Sequence, residues 1–409
     1  MREVEPACRS AGCRFARLLI STGEVSGDLQ GALLIEALRR QAEKRGLALE
    51  ILALGGDRMA AAGATLLGNT TAIGSVGIVE ALPFVLPTLR LQRRVQQQLQ
   101  QHPPDLVVMI DYFGPNSRLG TYMRRHFPQV PLIYYIAPQE WVWSLSPAKT
   151  RQVISLSDRL LAIFPEEARY YEKWGANATY VGHPLVDRVA TFPSRAAARQ
   201  QLGIAEDDVA IALLPASRRQ EVKHLLPVLC QAAQQIQAAL PQAHLWIPLS
   251  LSQFQTPIEQ AIQRYGLRAT IVTEHPQTVI AAADLALTKS GTANLEIALA
   301  GVPQVVIYRV SRMTAWIARR FLKFSIAFMS PPNLVMMEPI VPELLQEAAT
   351  PDNIAREGLA LLLDPDRRHQ TQQDYARLRQ VLGVGGVCDR AAGEVLDMLA
   401  QRKMGRTIP

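Results

Sequence analysis

RLLISTGEVSGDLQGALLIEALRRQAEKRGLALEILALGG, residues 17–56, decides the fold. An aliphatic run, a glycine-containing loop, a long amphipathic stretch and a second aliphatic run follow one another, which is the pattern of a βαβ unit and therefore of parallel strands. The alternation continues through DLVVMID (105–111), PLIYYIA (131–137), RLLAIFP (159–165) and ATYVGH (178–183). It restarts after VDRVATFPSRAAARQQLGI (186–204) with VAIALLPAS (209–217), HLWIPLS (244–250), ATIVTE (269–274), DLALTKS (284–290) and PQVVIYR (303–309). The reading is an α/β protein of two Rossmann-like domains facing a central cleft. Expected bounds are an extension at 1–17, a first domain at 18–188 and a second at 189–367, with a linker near 186–200. Helices at 368–409 are expected to pack back across the domains.

A chain of 409 residues, 48% hydrophobic and 19% charged, is long enough for two cores and too apolar for wholesale disorder. Lys plus Arg exceed Asp plus Glu by 43 to 36, a net charge of +7 that suits an anionic partner without choosing one. Cys8, Cys13, Cys230 and Cys388 are scattered, with no zinc-like spacing, which fits a reducing compartment. The apolar run Leu18–Ile20 is too short for a signal-peptide core, and no long uncharged apolar stretch predicts a spanning helix. Membrane contact, if any, is expected to be peripheral. Nucleic acid is not an expected partner, because no basic-aromatic pattern or recognition motif accompanies the charge.

Function is expected in loops at the carboxyl ends of the strands, where open α/β sheets collect ligands. In TGEVSGD (22–28), Gly23 and Gly27 let backbone approach a ligand, while Ser26 or Asp28 suits a helix cap; a plain capped turn is the competing reading. In VVMIDYFGPN, an apolar run ends on Asp111, a placement that suits a general base and equally a strand-end carboxylate paired with an Arg. LLPASRRQEV puts Ser217 and Arg218 at a strand-to-helix junction, where Arg suits a diphosphate or an ion pair with Glu221. LTKSGTANLE puts Ser290, Gly291 and Thr292 at a helix start and Glu296 one turn inside, a pattern for phosphate and ribose.

Two basic amphipathic tracts, PFVLPTLRLQRRV (83–95) and RVSRMTAWIARRFLKF (309–324), suit an anionic lipid surface or a core-facing helix with a wet edge. His183 in VGHPLVD reads as structural. No second His stands at ligand spacing, and there is no Gly-Lys-Ser/Thr phosphate loop and no G-x-S-x-G elbow.

Together these segments resemble the lipid-A-disaccharide synthase family along nearly the whole chain after residue 17. TGEVSGDLQGALLIEAL, SVGIVEAL, IDYFGPN, YYIAPQEWVWSLSPAKTRQV, FPEEARYYEKWG, YVGHPLVD, LLPASRRQEV, SGTANLE and PPNLVMMEPIVPELLQ stand in the family's order. The resemblance implies a GT-B type glycosyltransferase that joins UDP-2,3-diacylglucosamine to 2,3-diacylglucosamine 1-phosphate (lipid X). The product would be a β-1,6-linked disaccharide, formed by inversion without cofactor or metal. It also implies a cytoplasmic enzyme held peripherally on the inner membrane; a homodimer is left open. By the family pattern Asp111 is the base, Arg218 and Ser290–Glu296 belong to the nucleotide site, and Asn333 matches the family's Pro-Asn position. Where the family has Ala-Pro-Asp-Phe-Asn after the Asp, this chain has Tyr112, Phe113, Gly114, Pro115 and Asn116, so a second carboxylate is missing there. Ala216 replaces a family Gly and Pro332 a family Leu. The competing enzyme reading is another UDP-sugar transferase or an epimerase of the same architecture.

Overall fold

The computed structural model describes residues 14–71, 85–142, 146–215, 219–249, 251–309 and 328–403. The chain divides into two compact units, one running to Pro184 and resuming at Gly385, the other spanning Leu185–Val384.

The first unit is built on a parallel sheet of seven strands: β1 (Arg14–Ser21), β2 (Leu47–Gly55), β3 (Thr65–Asn69), β4 (Leu106–Ile110), β5 (Leu132–Tyr135), β6 (Arg159–Ala162) and β7 (Ala178–Tyr180). Their order is β3-β2-β1-β4-β5-β6-β7. β4 is the sequence LVVMI with every residue fully buried, as expected of a central parallel strand covered on both faces. Burying five such side chains contributes about 1.5–3 kcal/mol each, so this strand is a main anchor of the core. One face packs Leu19, Val107, Met109 and Tyr134 against Val95 and Leu99 of α3 (Val85–Gln101), behind α1 (Val25–Lys44) and α2 (Asp57–Ala61) in chain order, and against Leu119 and Met123 of α4 (Phe113–His126).

The second unit holds a parallel sheet of six strands: β8 (Val209–Leu214), β9 (Ala243–Pro248), β10 (Ala269–Val272), β11 (Leu285–Lys289), β12 (Gln304–Tyr308) and β13 (Glu343–Leu345), ordered β10-β9-β8-β11-β12-β13. Its core gathers Ile211, Leu213, Leu229, Ile236, Leu245, Leu287 and Ile307.

In each sheet the strand order reverses once, between β1 and β4 and between β8 and β11. Helices must cross to opposite faces at such a point, which opens a crevice at the strands' carboxyl ends. TGEVSGD follows β1 and IDYFGPN closes β4; Lys289 closes β11, with Ser290, Gly291 and Thr292 after it. These three segments thus sit at the two places where doubly wound sheets bind ligands, whereas Asn333 precedes the edge strand β13.

Candidate functional site

β4 ends on Ile110, and the chain leaves the sheet through two consecutive left-handed residues, Asp111 (φ 46°) and Tyr112 (φ 40°). Asp tolerates that region better than most side chains, whereas a bulky Tyr does not, so the turn needs outside support. The Asp111 carbonyl accepts hydrogen bonds from Asn116 Nδ2 (2.8 Å) and Tyr134 Oη (2.9 Å). Asn116 also donates to the Ile110 carbonyl (3.0 Å) and accepts from Ser21 Oγ (2.8 Å), tying the start of α4 to the end of β1. The Tyr112 ring lies against Gly23, where an added Cβ would fall 1.9 Å from the ring. Gly23 therefore makes room for the residue beside the carboxylate.

The Asp111 side chain is partly buried. Burial pushes its carboxyl up from 3.8 to about 7, helped by the Glu24 charge and opposed by the Tyr112 N–H and by Lys149. Glu24 is in the TGEVSGD loop and was not singled out in the sequence; its charge acts on Asp111. Lys149 is held by Glu140 (2.5 Å), a buried carboxylate, and stands 4.9 Å above the Phe113 ring. Deeper still lies Glu167, on α5 (Pro165–Lys173). It accepts from the backbone N–H groups of Ala137 (2.8 Å), Ile163 (2.8 Å) and Phe164 (3.3 Å), and burial raises it from 4.5 to about 8 against those bonds.

Gly27 and Asp28 of TGEVSGD are committed to structure. α1 begins at Val25 with Glu24 at its N-cap and no side-chain cap bond, so neither Ser26 nor Asp28 caps it. Asp28 instead reaches across to α2, accepting from Gly56 N (2.7 Å), Met59 N (3.1 Å) and Arg58 N (3.2 Å). Gly27 is required because a Cβ there would lie 1.9 Å from Thr22 Oγ1. His183 is buried against Phe164, ring centroids 5.1 Å apart, and burial lowers it to about 3, which keeps it neutral.

In the second unit, β11 ends on Lys289, and Ser290, Gly291 and Thr292 lead into α6 (Ala293–Leu299). The loop is braced from within: Ser290 N donates to Ile307 O (2.8 Å), Gly291 N to Asn294 Oδ1 (2.7 Å), and Ser290 Oγ to Met329 O (2.6 Å). Two backbone donors expected to face a ligand are thus spent on the fold. Lys289 Nζ lies over the loop, 3.3 Å from where a side chain on Gly291 would begin. Glu296 is buried and paired with Arg188 (2.5 Å).

Asn333, in α7 (Pro331–Met336), gives its whole amide to the fold. Nδ2 donates to Val341 O (2.9 Å) and Glu343 Oε1 (2.8 Å), and Oδ1 accepts from Val341 N (2.8 Å). Glu343 also accepts from Met329 N (2.9 Å) and Ser330 N (2.8 Å), which links Asn333 through Met329 to Ser290. Neither Lys289 nor Glu343 was picked from sequence. Lys289 stood inside the strand candidate DLALTKS, while Glu343 gave no periodic signal.

Ser217 and Arg218 lie outside the described residues, as do Glu80, Pro83, Phe84 and residues 310–324 of the second basic tract. Of the first tract, Arg90, Arg93 and Arg94 are exposed on α3. Among the described residues no group of three His, Cys, Asp or Glu is placed to hold a metal ion, and no helix is long and apolar enough to cross a membrane.

Comparison with known proteins gives this geometry its family. Among solved structures, a UDP complex of MnaA from S. aureus superposes with a TM-score of 0.64 at 14% identity, covering 94% of this chain and 97% of that one. MurG of Acinetobacter baumannii gives 0.54 at 15% identity, covering 94% and 100%. At such identities the likeness shows the fold alone, that of GT-B glycosyltransferases and sugar-nucleotide epimerases. The lipid-A-disaccharide synthase of Gloeothece citriformis (strain PCC 7424) is 57% identical over 381 residues, 93% of this chain and 99% of that protein. The synthase of Synechocystis sp. (strain ATCC 27184 / PCC 6803 / Kazusa) is 53% identical over 392 residues, 95% and 100%. With the lipid-A-disaccharide synthetase family model matching residues 18–394, the chain belongs to the lipid-A-disaccharide synthase family.

Proposed function

We propose that this enzyme transfers 2,3-diacylglucosamine from UDP to the 6-hydroxyl of 2,3-diacylglucosamine 1-phosphate, giving the β-1,6-linked disaccharide 1-phosphate and UDP. The observation that carries the mechanism is Asp111, a partly buried carboxylate at the switch point of the first sheet, raised to about 7. A base titrating near the working pH combines a usable ionised fraction with strong proton affinity. Asp111 takes the proton of the acceptor hydroxyl as that oxygen attacks the anomeric carbon, and the bond to UDP breaks in the same displacement, which inverts the centre. Asn116, Tyr134 and Gly23 position the carboxylate through the backbone turn that carries it.

UDP is bound by the Leu185–Val384 unit. Its diphosphate meets Lys289 at the end of β11 and, by the family resemblance, Arg218, which suits a leaving group whose charge grows as the bond breaks. Ser217 and the loop Ser290–Thr292 surround the phosphates, and Glu296, oriented by Arg188, accepts from the ribose. Asp28 and Asn333 act by holding their loops. The acylated substrates and the exposed arginines of α3 support peripheral attachment to an anionic membrane, on the cytoplasmic side where UDP-sugars are found. Anionic vesicles should then sediment the protein in a salt-sensitive manner.

Purified protein incubated with both acylated sugars should release UDP and form disaccharide. UDP-N-acetylglucosamine in place of the acylated donor should give neither disaccharide nor a 2-epimer. Turnover of that simpler sugar nucleotide in preference to the acylated donor would refute the assignment.

A further inference from the structure

Beside Asp111 the first unit contains a cavity of about 60 Å³ that none of the roles above uses. Tyr112, the residue after Asp111, forms part of its wall together with Gly23; Leu54, Leu91, Val95, Leu119 and Tyr122 supply its apolar side, and Ser21, Thr22, Thr70, Gln92 and Gln96 also border it. It lies between β2, α3 and α4, and Arg118, an exposed cation on α4, stands at its edge.

The wall chemistry selects the occupant. An ordered water requires two to four polar partners; although Ser21, Thr22, Thr70, Gln92 and Gln96 border the cavity, most of the wall surface turned into it is apolar, so it favours hydrocarbon. A sugar ring there would leave its hydroxyls without partners and bear the desolvation cost. Size is equally restrictive. At about 60 Å³ the cavity has room for only a short segment of a hydrocarbon chain.

We propose that the cavity binds a segment of one acyl chain of the acceptor sugar and thereby makes the reaction sensitive to chain length. This rests on the acceptor assigned above. The chain's carbonyl end stays with the sugar near Asp111, its methylenes pass Tyr112, and Arg118 at the edge faces the anionic head of the same molecule. Gly68 of β3 contributes indirectly: a Cβ there would lie 2.4 Å from Leu91 Cδ1, so its absence lets Leu91 sit back from the space.

The test fills the cavity in two ways, Val95→Phe from within and Gly68→Ala by pushing Leu91 inward. It uses two acceptors that differ only in carrying acetyl or tetradecanoyl chains. Both variants should keep wild-type UDP affinity. Their KM and calorimetric Kd for the tetradecanoyl acceptor should rise at least ~10-fold, while values for the diacetyl acceptor change less than ~2-fold, because only the long chain loses buried methylenes. Equal effects on the two acceptors, or none on either, in whichever variant folds, would overturn the proposal. Wild-type protein that forms no disaccharide, yet binds the tetradecanoyl acceptor with a Kd that Val95→Phe weakens, would reject the transferase assignment and leave the acyl site standing.

Discussion

The Glu24 charge bears directly on Asp111. Burial and the Glu24 charge both raise Asp111, to about 7, so the acid limb of kcat/KM should lie near that pH, with activity rising as Asp111 loses its proton. Glu24→Gln removes a negative neighbour, which makes ionisation easier; the limb should move to lower pH, read directly from a pH–rate profile. A limb that does not move would detach Glu24 from the base. Asp111→Asn keeps the shape without accepting a proton, and turnover should fall by roughly 10²–10⁴-fold while UDP affinity holds. Linkage gives a second readout. Because the folded-state value is raised from 3.8, folding favours the protonated form, and stability declines as pH rises from that value to about 7. The Asn variant escapes this decline, so its melting temperature at pH 8 should equal or exceed the parent's. A carboxylate serving an ion pair would give the reverse, a lower melting temperature with a near-normal rate. In the second unit, Lys289→Ala should weaken UDP binding by roughly 1.5–3 kcal/mol if its ammonium meets the diphosphate, measured by calorimetry.

At the scale of elements, carboxylates that accept several backbone N–H groups keep the site loops in place. Glu167 accepts three, from the loop after β5 and from the turn into α5. Glu167→Ala leaves buried donors unpaired, each costing roughly 1–3 kcal/mol, so thermal or urea unfolding should show a loss of several kcal/mol. A loss below about 1 kcal/mol would mean water replaces the carboxylate. Nothing in FPEEARYYEKWG distinguishes Glu167 from Glu166, because the difference is made by the ends of β5 and β6 arriving from elsewhere in the chain. Asp28 and Asn333 teach the same point: residue type and position marked them from sequence, but the partners that use up their polar atoms are supplied by Gly56–Met59 and by Val341–Glu343. Strands were legible where they are central and apolar, as in LVVMI and LALTK. β3 and β13 escaped because they are edge strands, TLLGN and ELL, half-buried and too short for periodicity.

Over the whole molecule, the chain leaves the first unit after Pro184 and returns to it at Gly385, so the first unit is completed only by the last part of the sequence. The returning helix, α8 (Val387–Lys403), packs on α1. It buries Val387, Ala391, Ala392, Val395, Leu396, Met398 and Leu399. Ion pairs flank the seam, Arg40 with Asp389 (2.9 Å) and Arg45 with Asp397 (2.6 Å), while Arg159 bonds Glu394. The two exposed pairs, Arg40 with Asp389 and Arg45 with Asp397, contribute little, about 0–1 kcal/mol each. The apolar side chains decide: at about 1.5–3 kcal/mol for each of the larger ones, their burial is comparable with the net stability of a domain, about 5–15 kcal/mol. Ending the chain at Val384 should therefore unfold the first unit, or leave it aggregating through the bared face of α1, and abolish transfer. The Leu185–Val384 unit keeps its own sheet and core, so UDP binding should survive within ~3-fold. Calorimetry should then show one unfolding transition lost and one retained, the latter shifted upward by UDP. Two intact transitions would mean that α8 is dispensable to the first unit, whereas loss of both would mean that the second unit depends on the first for its stability.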